Sequence, residues 1–243
     1  MRYFIELSYK GKHYHGWQIQ PDANSVQEEL NKALSKITRK QISVVGAGRT
    51  DAGVHASQMF AHFDIDIDIE LKGDYVHKLN SLLPDDIVVY EIVLVNDEAH
   101  VRFDAISRSY EYKIWLGRNP FLLDTTWQIH SQKLNIQLMN KASAILLEYV
   151  DFQCFSKVKT EVHTFNCTVT NAVWRQEGAA LTFYITANRF LRNMVRAIVG
   201  TLVDVGLGKT TVHEFRKIIE SKNRSNAGLS VPAKGLFLTE VKY

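Results

Sequence analysis

The sequence predicts an α+β fold made of two halves, each with the β-α-β-β-α-β order of a ferredoxin-like unit. Three observations support this prediction. Strand patterns of period two alternate with amphipathic helix patterns, the order of these elements repeats once, and 243 residues suffice for two small domains. We expect mixed or antiparallel sheets that lie side by side and leave a central cleft. The functional site is expected in this cleft, because elongated ligands are often bound where two domains meet.

The first half is expected to span residues 1–100. Alternating apolar residues over 3–9 predict a half-buried strand, and Ser25 with Glu28 forms the capping-box signature of a helix start. Later strands follow from alternation or from a continuous apolar run, which predicts a fully buried strand. The elements predicted after the first helix are strands at 41–46 and 57–64, a short helix from Asp74 to Pro84, and a buried strand at 87–95.

The second half is expected to span residues 101–243 and to repeat this order. Thr211 and Glu214 form another capping-box pattern, which predicts an extra helix near its end. The other predicted elements are strands at 110–116, 164–175, 180–187 and 236–242, and helices at about 135–148 and 192–206.

The charge of the whole chain says little about its partners, since the net charge is only +3. Its distribution is more informative, because basic residues accumulate between Arg189 and Arg224 and are opposed within that stretch only by Asp204, Glu214 and Glu220. A local excess of this kind is suited to phosphates, although a solvated helical surface would have the same composition. The basic residues are Arg189, Arg192, Arg196, Lys209, Arg216, Lys217, Lys222 and Arg224.

The two cysteines, Cys154 and Cys167, lack the spacing of a zinc site, and a reducing cytoplasm is the simplest location for them. No apolar run is long enough for a signal-peptide core or a membrane span. We therefore expect a cytoplasmic protein without a membrane partner.

A glycine-rich segment between the second and third predicted strands carries the densest signal. It reads GAGRTDAGVHA over residues 46–56 and places Asp51 near its middle. Three glycines within eight residues permit positive φ angles and close backbone approach. Taken alone, such a segment is more often a tight turn with an Asx-type hydrogen bond than a catalytic loop.

Four further motifs occur in order along the chain, and together with this segment they resemble the tRNA pseudouridine synthase A family. The resemblance runs from about residue 3 to residue 240, and the string GRTDAGVHA is highly specific. The other motifs are GWQ at 16–18, RSYEY at 108–112, MVRAIVG at 194–200 and GLFL at 235–238.

The resemblance implies a pseudouridine synthase fold and a role for four residues. Asp51 matches the catalytic aspartate, and Arg196 its basic partner. Tyr110 matches the tyrosine that packs against the target uracil, and Arg49 the arginine that fills the space of the flipped nucleotide. The first half would then carry the aspartate loop, and the second half the Tyr110 strand and the basic helix.

The resemblance also implies the substrate and the assembly. Members of the family isomerise uridines at positions 38, 39 and 40 in the anticodon stem-loop of tRNA, and they act as homodimers. The chain is therefore expected to be an isomerase of tRNA processing, with tRNA and a second copy of itself as partners.

The chemistry of this isomerisation agrees with the residue types. The N1–C1′ bond of uridine breaks, the uracil rotates, a C5–C1′ bond forms and the C5 proton is lost, without any redox change. We therefore expect neither a metal nor an organic cofactor, and the sequence contains no dinucleotide fingerprint, P-loop or metal-ligand cluster. An ionised carboxylate is required, and an arginine beside Asp51 would favour its charged form.

Two other functions stay open from the residues alone. A non-catalytic tRNA-binding or folding protein would need the basic surface but would have no use for Asp51, Arg196 and Tyr110 together. A small-molecule enzyme built from two ferredoxin-like units would leave the basic helix and Arg49 without a role.

Overall fold

The computed structural model describes residues 1–66, 74–130, 133–157 and 163–243. The chain divides into two compact units: unit 1 is Met1–Ile106 with Phe237–Tyr243, and unit 2 is Ser107–Leu236. Strands and helices occur in both units, so the predicted α+β class is confirmed. No helix within these described ranges is both long and apolar enough to cross a membrane.

Nine strands and five α-helices are present in the described residues, and most lie where the sequence predicts them. In chain order they are β1 (Arg2–Tyr9), α1 (Val26–Thr38), β2 (Val45–Gly46), β3 (His55–Asp64), α2 (Asp74–Leu82), β4 (Ile87–Val95), β5 (Ser107–Leu116), β6 (Trp127–Ile129), α3 (Ile136–Ile145), β7 (Val169–Glu177), β8 (Ala180–Ala187), α4 (Met194–Gly206), α5 (Val212–Glu220) and β9 (Leu236–Lys242).

Unit 1 has the strand order of a ferredoxin-like sheet. β1 lies between β4 and β3 and is antiparallel to both, and β2 pairs antiparallel with the far side of β3. Helix α1 begins where the sequence predicts, because the Ser25 hydroxyl accepts a hydrogen bond from the Glu28 N–H at 3.2 Å. It ends at Arg39, whose φ of 56° leaves the helical region.

The last strand joins unit 1, whereas the sequence placed it in the second half. β9 runs parallel to β3, with His55 opposite Phe237 and Ala56 opposite Leu238. Long-range pairing of this kind has no local signature in the sequence.

Two strand predictions for unit 1 are corrected. The strand expected at 41–46 shortens to Val45–Gly46, because the N–H groups of Ile42 and Val44 donate to Ser35 Oγ and Asn31 Oδ1 of α1, each at 2.9 Å.

The strand at 87–95 is also not fully buried, because β4 lies at the edge of the sheet as described. Ile87, Val89 and Ile92 are buried, whereas Tyr90 and Leu94 are 56% and 61% exposed. The continuous apolar run therefore forms an edge strand that is buried on one face only, and not the fully buried strand that it predicted.

A buried histidine connects β3 to the segment that closes unit 1. His62 Nδ1 accepts a hydrogen bond from the Val101 N–H at 3.2 Å, and its ring lies edge-on to His100 at 4.8 Å. Burial, together with the nearby charges of Arg2 and His100, lowers the pKa of His62 to about 4. The accepting nitrogen carries no proton, so the folded state requires the neutral ring.

This histidine predicts that stability decreases in mild acid. Above pH 6.5 the ring is neutral in both states; as the pH falls toward 4, only the unfolded chain gains the proton, so the free energy of unfolding decreases. The limiting slope is about 1.4 kcal/mol per pH unit for one proton. Urea denaturation between pH 4 and 7 measures this slope, and His62→Gln should flatten it. An identical slope in wild type and variant would contradict the assignment.

In unit 2, helices pack against strands that are mainly antiparallel. β8 lies between β5 and β7, and β6, which the sequence did not predict, runs parallel to β5. Helix α3 packs against β7, α4 and α5. Helix α5 begins at the predicted capping box, since Thr211 and Glu214 each accept a hydrogen bond from the other's N–H.

Helix α4 is a core helix and not a basic surface helix. Eleven of its 13 residues are buried, among them Ile198 and Leu202, and only Arg196 and Asp204 are partly exposed. Apolar residues at nearly all positions around a helix are typical of a core helix. The basic residues of this region therefore lie mainly outside the helix.

Candidate active site

The loop between β2 and β3 carries Asp51. The end of β1 and the segment that follows it form hydrogen bonds with this loop. Thr50 is buried; its Oγ1 lies 2.8 Å from the hydroxyl of Tyr9, and its carbonyl accepts a hydrogen bond from the Trp17 N–H at 3.3 Å. Gly53 donates its N–H to the Tyr14 carbonyl at 3.3 Å. The backbone is thus fixed on both sides of Asp51.

The GWQ motif explains one of the loop glycines. Trp17 is buried, and a Cβ built on Gly46 would lie 2.5 Å from its ring, closer than two atoms can approach. Only glycine lets the indole lie against the backbone at this point. Trp17 is therefore a core residue that supports the loop.

Asp51 and Arg49 differ in exposure within this loop. The Asp51 carbonyl accepts a hydrogen bond from the Val54 N–H at 3.1 Å, which closes a tight turn, and the residue is partly exposed. Arg49, two positions earlier, is exposed. The turn expected from the glycines therefore coexists with a carboxylate at the surface of unit 1.

His55 anchors the loop where it enters β3. The residue is buried, its Nδ1 accepts a hydrogen bond from the Gly11 N–H at 3.1 Å, and its ring stacks on Phe237 at 4.5 Å. Its role in the described structure is packing and backbone support.

Tyr110 lies on β5 in unit 2 beside a second aromatic ring. Its ring is partly exposed and meets Phe190 edge-on at 5.0 Å. Tyr112, two residues along the same face, is fully buried, and its hydroxyl donates to the Pro232 carbonyl at 2.8 Å. Burial also raises the pKa of Tyr112. Of the two tyrosines, only Tyr110 has a surface that a ligand could contact, because Tyr112 is fully buried.

Arg196 lies in the first turn of α4 and is held by the chain segment before β9. Its Nε donates to the Val231 carbonyl at 2.8 Å, and its own carbonyl accepts from the Val231 N–H at 3.3 Å. Asn193 Nδ2 also donates to Ser230 Oγ at 2.6 Å. Two residues of this segment therefore orient the start of α4.

Much of the basic run is compensated within unit 2. Arg216 contacts Glu148 at 2.7 Å, Lys222 contacts Asp151 at 2.9 Å, and Arg224 donates to the carbonyls of residues 227 and 228. Arg192 and Lys217 are exposed. The net positive charge that this region presents to a phosphate backbone is therefore smaller than its number of basic residues suggests.

The four proposed site residues are divided between the units: Asp51 and Arg49 in unit 1, Tyr110 and Arg196 in unit 2. Their grouping in one site stays a prediction. No role was predicted from the sequence for Tyr9, Thr50 or Phe190, although Thr50 lies inside the motif GRTDAGVHA. In the described ranges, no three His, Cys, Asp or Glu side chains are grouped to hold a metal ion.

Comparisons with known sequences identify the family to which a chain with this fold and this aspartate loop belongs. Residues 7–104 and 149–243 match the model of the family described as tRNA pseudouridine synthase. The chain therefore belongs to the tRNA pseudouridine synthases, the isomerases that convert uridine to pseudouridine in tRNA.

Relatives named tRNA pseudouridine synthase A align with the whole chain. The protein from Bacteroides fragilis is 52% identical over 246 residues and that from Parabacteroides distasonis 51% over 245, with 96% of each relative covered. The Bacillus subtilis protein is 38% identical over 246 residues, with 99% of its length covered.

Proposed function

We propose that this chain isomerises uridine to pseudouridine at positions 38, 39 and 40 in the anticodon stem-loop of tRNA. The observation that carries the proposal is the Asp51 loop, whose backbone is fixed on both sides while Asp51 itself stays partly exposed. A catalytic carboxylate requires this combination, because it must reach the substrate in a defined orientation.

Each of the four residues has a chemical task in this proposal. Asp51 attacks the ribose or the base, or stabilises the charge that develops at C1′, while N1–C1′ breaks and C5–C1′ forms. Arg196 keeps the carboxylate ionised, and Tyr110 packs on the uracil and takes part in removal of the C5 proton. Arg49 fills the space that the flipped uridine leaves.

The direct test is in vitro modification. The purified chain is incubated with a tRNA transcript that has uridine at all three positions, and pseudouridine is mapped by chemical derivatisation and primer extension. Product at 38, 39 and 40 is the expected result. Tight tRNA binding without product would support a non-catalytic tRNA-binding protein, and product elsewhere would overturn the assigned positions.

The role of Arg49 predicts a dependence on base pairing. Extruding a stacked base costs a few kcal/mol, and less when the base is unpaired. Arg49→Ala should therefore slow single turnover more on a stem uridine than on a loop uridine, with the fold intact because the residue is exposed. Equal losses on both substrates would argue against a flipping role.

The exposed cations of unit 2 predict a salt-dependent contact with tRNA. Each lost phosphate contact lowers the slope of log affinity against log salt by about 0.7–0.9. We expect Arg192→Ala and Lys217→Ala to weaken binding and flatten this slope. Arg216→Ala is the matched control, since its charge is compensated by Glu148 at 2.7 Å. An equal flattening in all three variants would assign the effect to overall charge.

We also propose a cytoplasmic homodimer. The free cysteines Cys154 and Cys167 suit a reducing compartment, and the dimer follows from the family resemblance. Sedimentation equilibrium tests the assembly, and a monomer at all concentrations would overturn it.

A further inference from the structure

We infer that Tyr9 and Thr50 form a buried hydroxyl pair that positions Asp51, so that both are positioning residues for the isomerisation. The inference rests on the proposed function, because it assigns a task to residues beneath the proposed catalytic loop. Neither residue is expected to touch the substrate.

The pair joins the end of one strand to the loop. Tyr9 is the last residue of β1 and is 4% exposed, and Thr50 is 9% exposed. Their hydroxyl oxygens lie 2.8 Å apart, the ordinary distance for an O–H···O hydrogen bond. The contact crosses 41 positions of sequence and is buried, so loss of either hydroxyl removes a buried hydrogen bond between β1 and the loop.

A second constraint acts on the same residue. The Thr50 carbonyl accepts the Trp17 N–H at 3.3 Å, and the Tyr9 ring packs on the Trp17 indole at 6.1 Å. Thr50 is thus held through its side chain and its backbone by residues that also contact each other. On the other side of Asp51, the Gly53 N–H donates to the Tyr14 carbonyl at 3.3 Å.

Any displacement of Thr50 affects Asp51, because Asp51 is the next residue in the chain. A shift of Thr50 moves the peptide group that the two residues share, and with it the direction of the carboxylate. Misplacement of a reacting group by about 1 Å is enough to cost on the order of 100-fold in rate. Binding of tRNA would change little, since phosphate contacts dominate affinity.

The experiment separates positioning from stability. Tyr9→Phe and Thr50→Val each remove one hydroxyl with little change of shape, and Thr50→Ser restores the hydroxyl. Single-turnover rate, tRNA dissociation constant and thermal melting are measured for each variant and for the Tyr9→Phe/Thr50→Val double variant. Thr38→Val is the matched control, because the buried Thr38 hydroxyl donates to the Leu34 carbonyl at 2.9 Å within α1 of the same unit.

The expected result is a rate lowered by about 10- to 100-fold in both single variants, with the dissociation constant within about twofold of wild type. The double variant should be no slower than the slower single variant, because both changes break one contact. Thr50→Ser should recover most of the rate, and Thr38→Val should lower the melting temperature without slowing turnover.

Three outcomes overturn the inference: rates equal to wild type, multiplicative losses in the double variant, or a rate loss in Thr38→Val as large as in Thr50→Val. If Thr50→Val does not fold, Tyr9→Phe and Thr50→Ser decide by the same criteria. Failure of the proposed function looks different, because wild type would then make no pseudouridine or Asp51→Asn would remain active.

Discussion

Replacing Asp51 by asparagine is expected to abolish pseudouridine formation while the fold and tRNA binding persist. Asparagine has nearly the same shape as aspartate, and the turn is closed by the Asp51 carbonyl and the Val54 N–H at 3.1 Å, which the substitution retains. The neutral amide cannot act as the nucleophile or stabilise positive charge at C1′. Loss of a catalytic group of this kind costs on the order of 10⁴-fold or more.

Single-turnover assays on a stem uridine and a loop uridine measure this loss. Unlike Arg49→Ala, the Asp51 variant should be inactive on both substrates, because the group that makes and breaks bonds is absent. Asp51→Ala is measured as a second variant, because deamidation of the asparagine in Asp51→Asn would regenerate the aspartate, whereas alanine cannot revert in this way. Turnover within about tenfold of wild type in both variants would remove Asp51 from the chemistry.

Local signals in the sequence were sufficient for the helices. Ser25 with Glu28 and Thr211 with Glu214 mark the starts of α1 and α5, because a side-chain cap satisfies a backbone N–H only a few residues away. The glycine loop could also be recognised, since its motif is compact. These features are determined by residues close together in the chain.

Features that depend on distant residues could not be predicted. The strand at 41–46 shortens because α1 side chains take its N–H groups, and β4 is exposed on one face because it lies at an edge of the described sheet. The ion pairs of the basic run also depend on distant residues, because Glu148 and Asp151, far away in sequence, contact Arg216 and Lys222.

The contact of Tyr9 with Thr50 belongs to the same group. Both residues have ordinary local roles, at a strand end and in a loop, and only the fold brings their hydroxyls to 2.8 Å. The motif GRTDAGVHA marks where the site is, whereas the segment from Tyr9 to Trp17 explains why the loop keeps its shape.

Replacing Gly16 by alanine is expected to have the second largest effect, through the same loop. Gly16 has a φ of +96°, and a Cβ there would lie 2.3 Å from the Thr50 carbonyl oxygen and 3.1 Å from the Asp51 carbonyl carbon. The obstructing atoms are backbone and cannot rotate away, so the loop must move. Backbone strain and overpacking together should lower the free energy of unfolding by roughly 2–6 kcal/mol.

Gly48→Ala is the matched control, because a Cβ at Gly48 has no neighbour within 4 Å. We expect its free energy of unfolding to change by less than about 1 kcal/mol and its turnover to stay near that of wild type. Urea denaturation and single-turnover rates, measured at a temperature where Gly16→Ala is still folded, give both comparisons. The folded Gly16→Ala protein should still turn over much more slowly, because its Thr50 carbonyl is displaced beside Asp51. Equal behaviour of the two alanine variants would mean that the close approach of Gly16 to the Thr50 carbonyl does not control the loop.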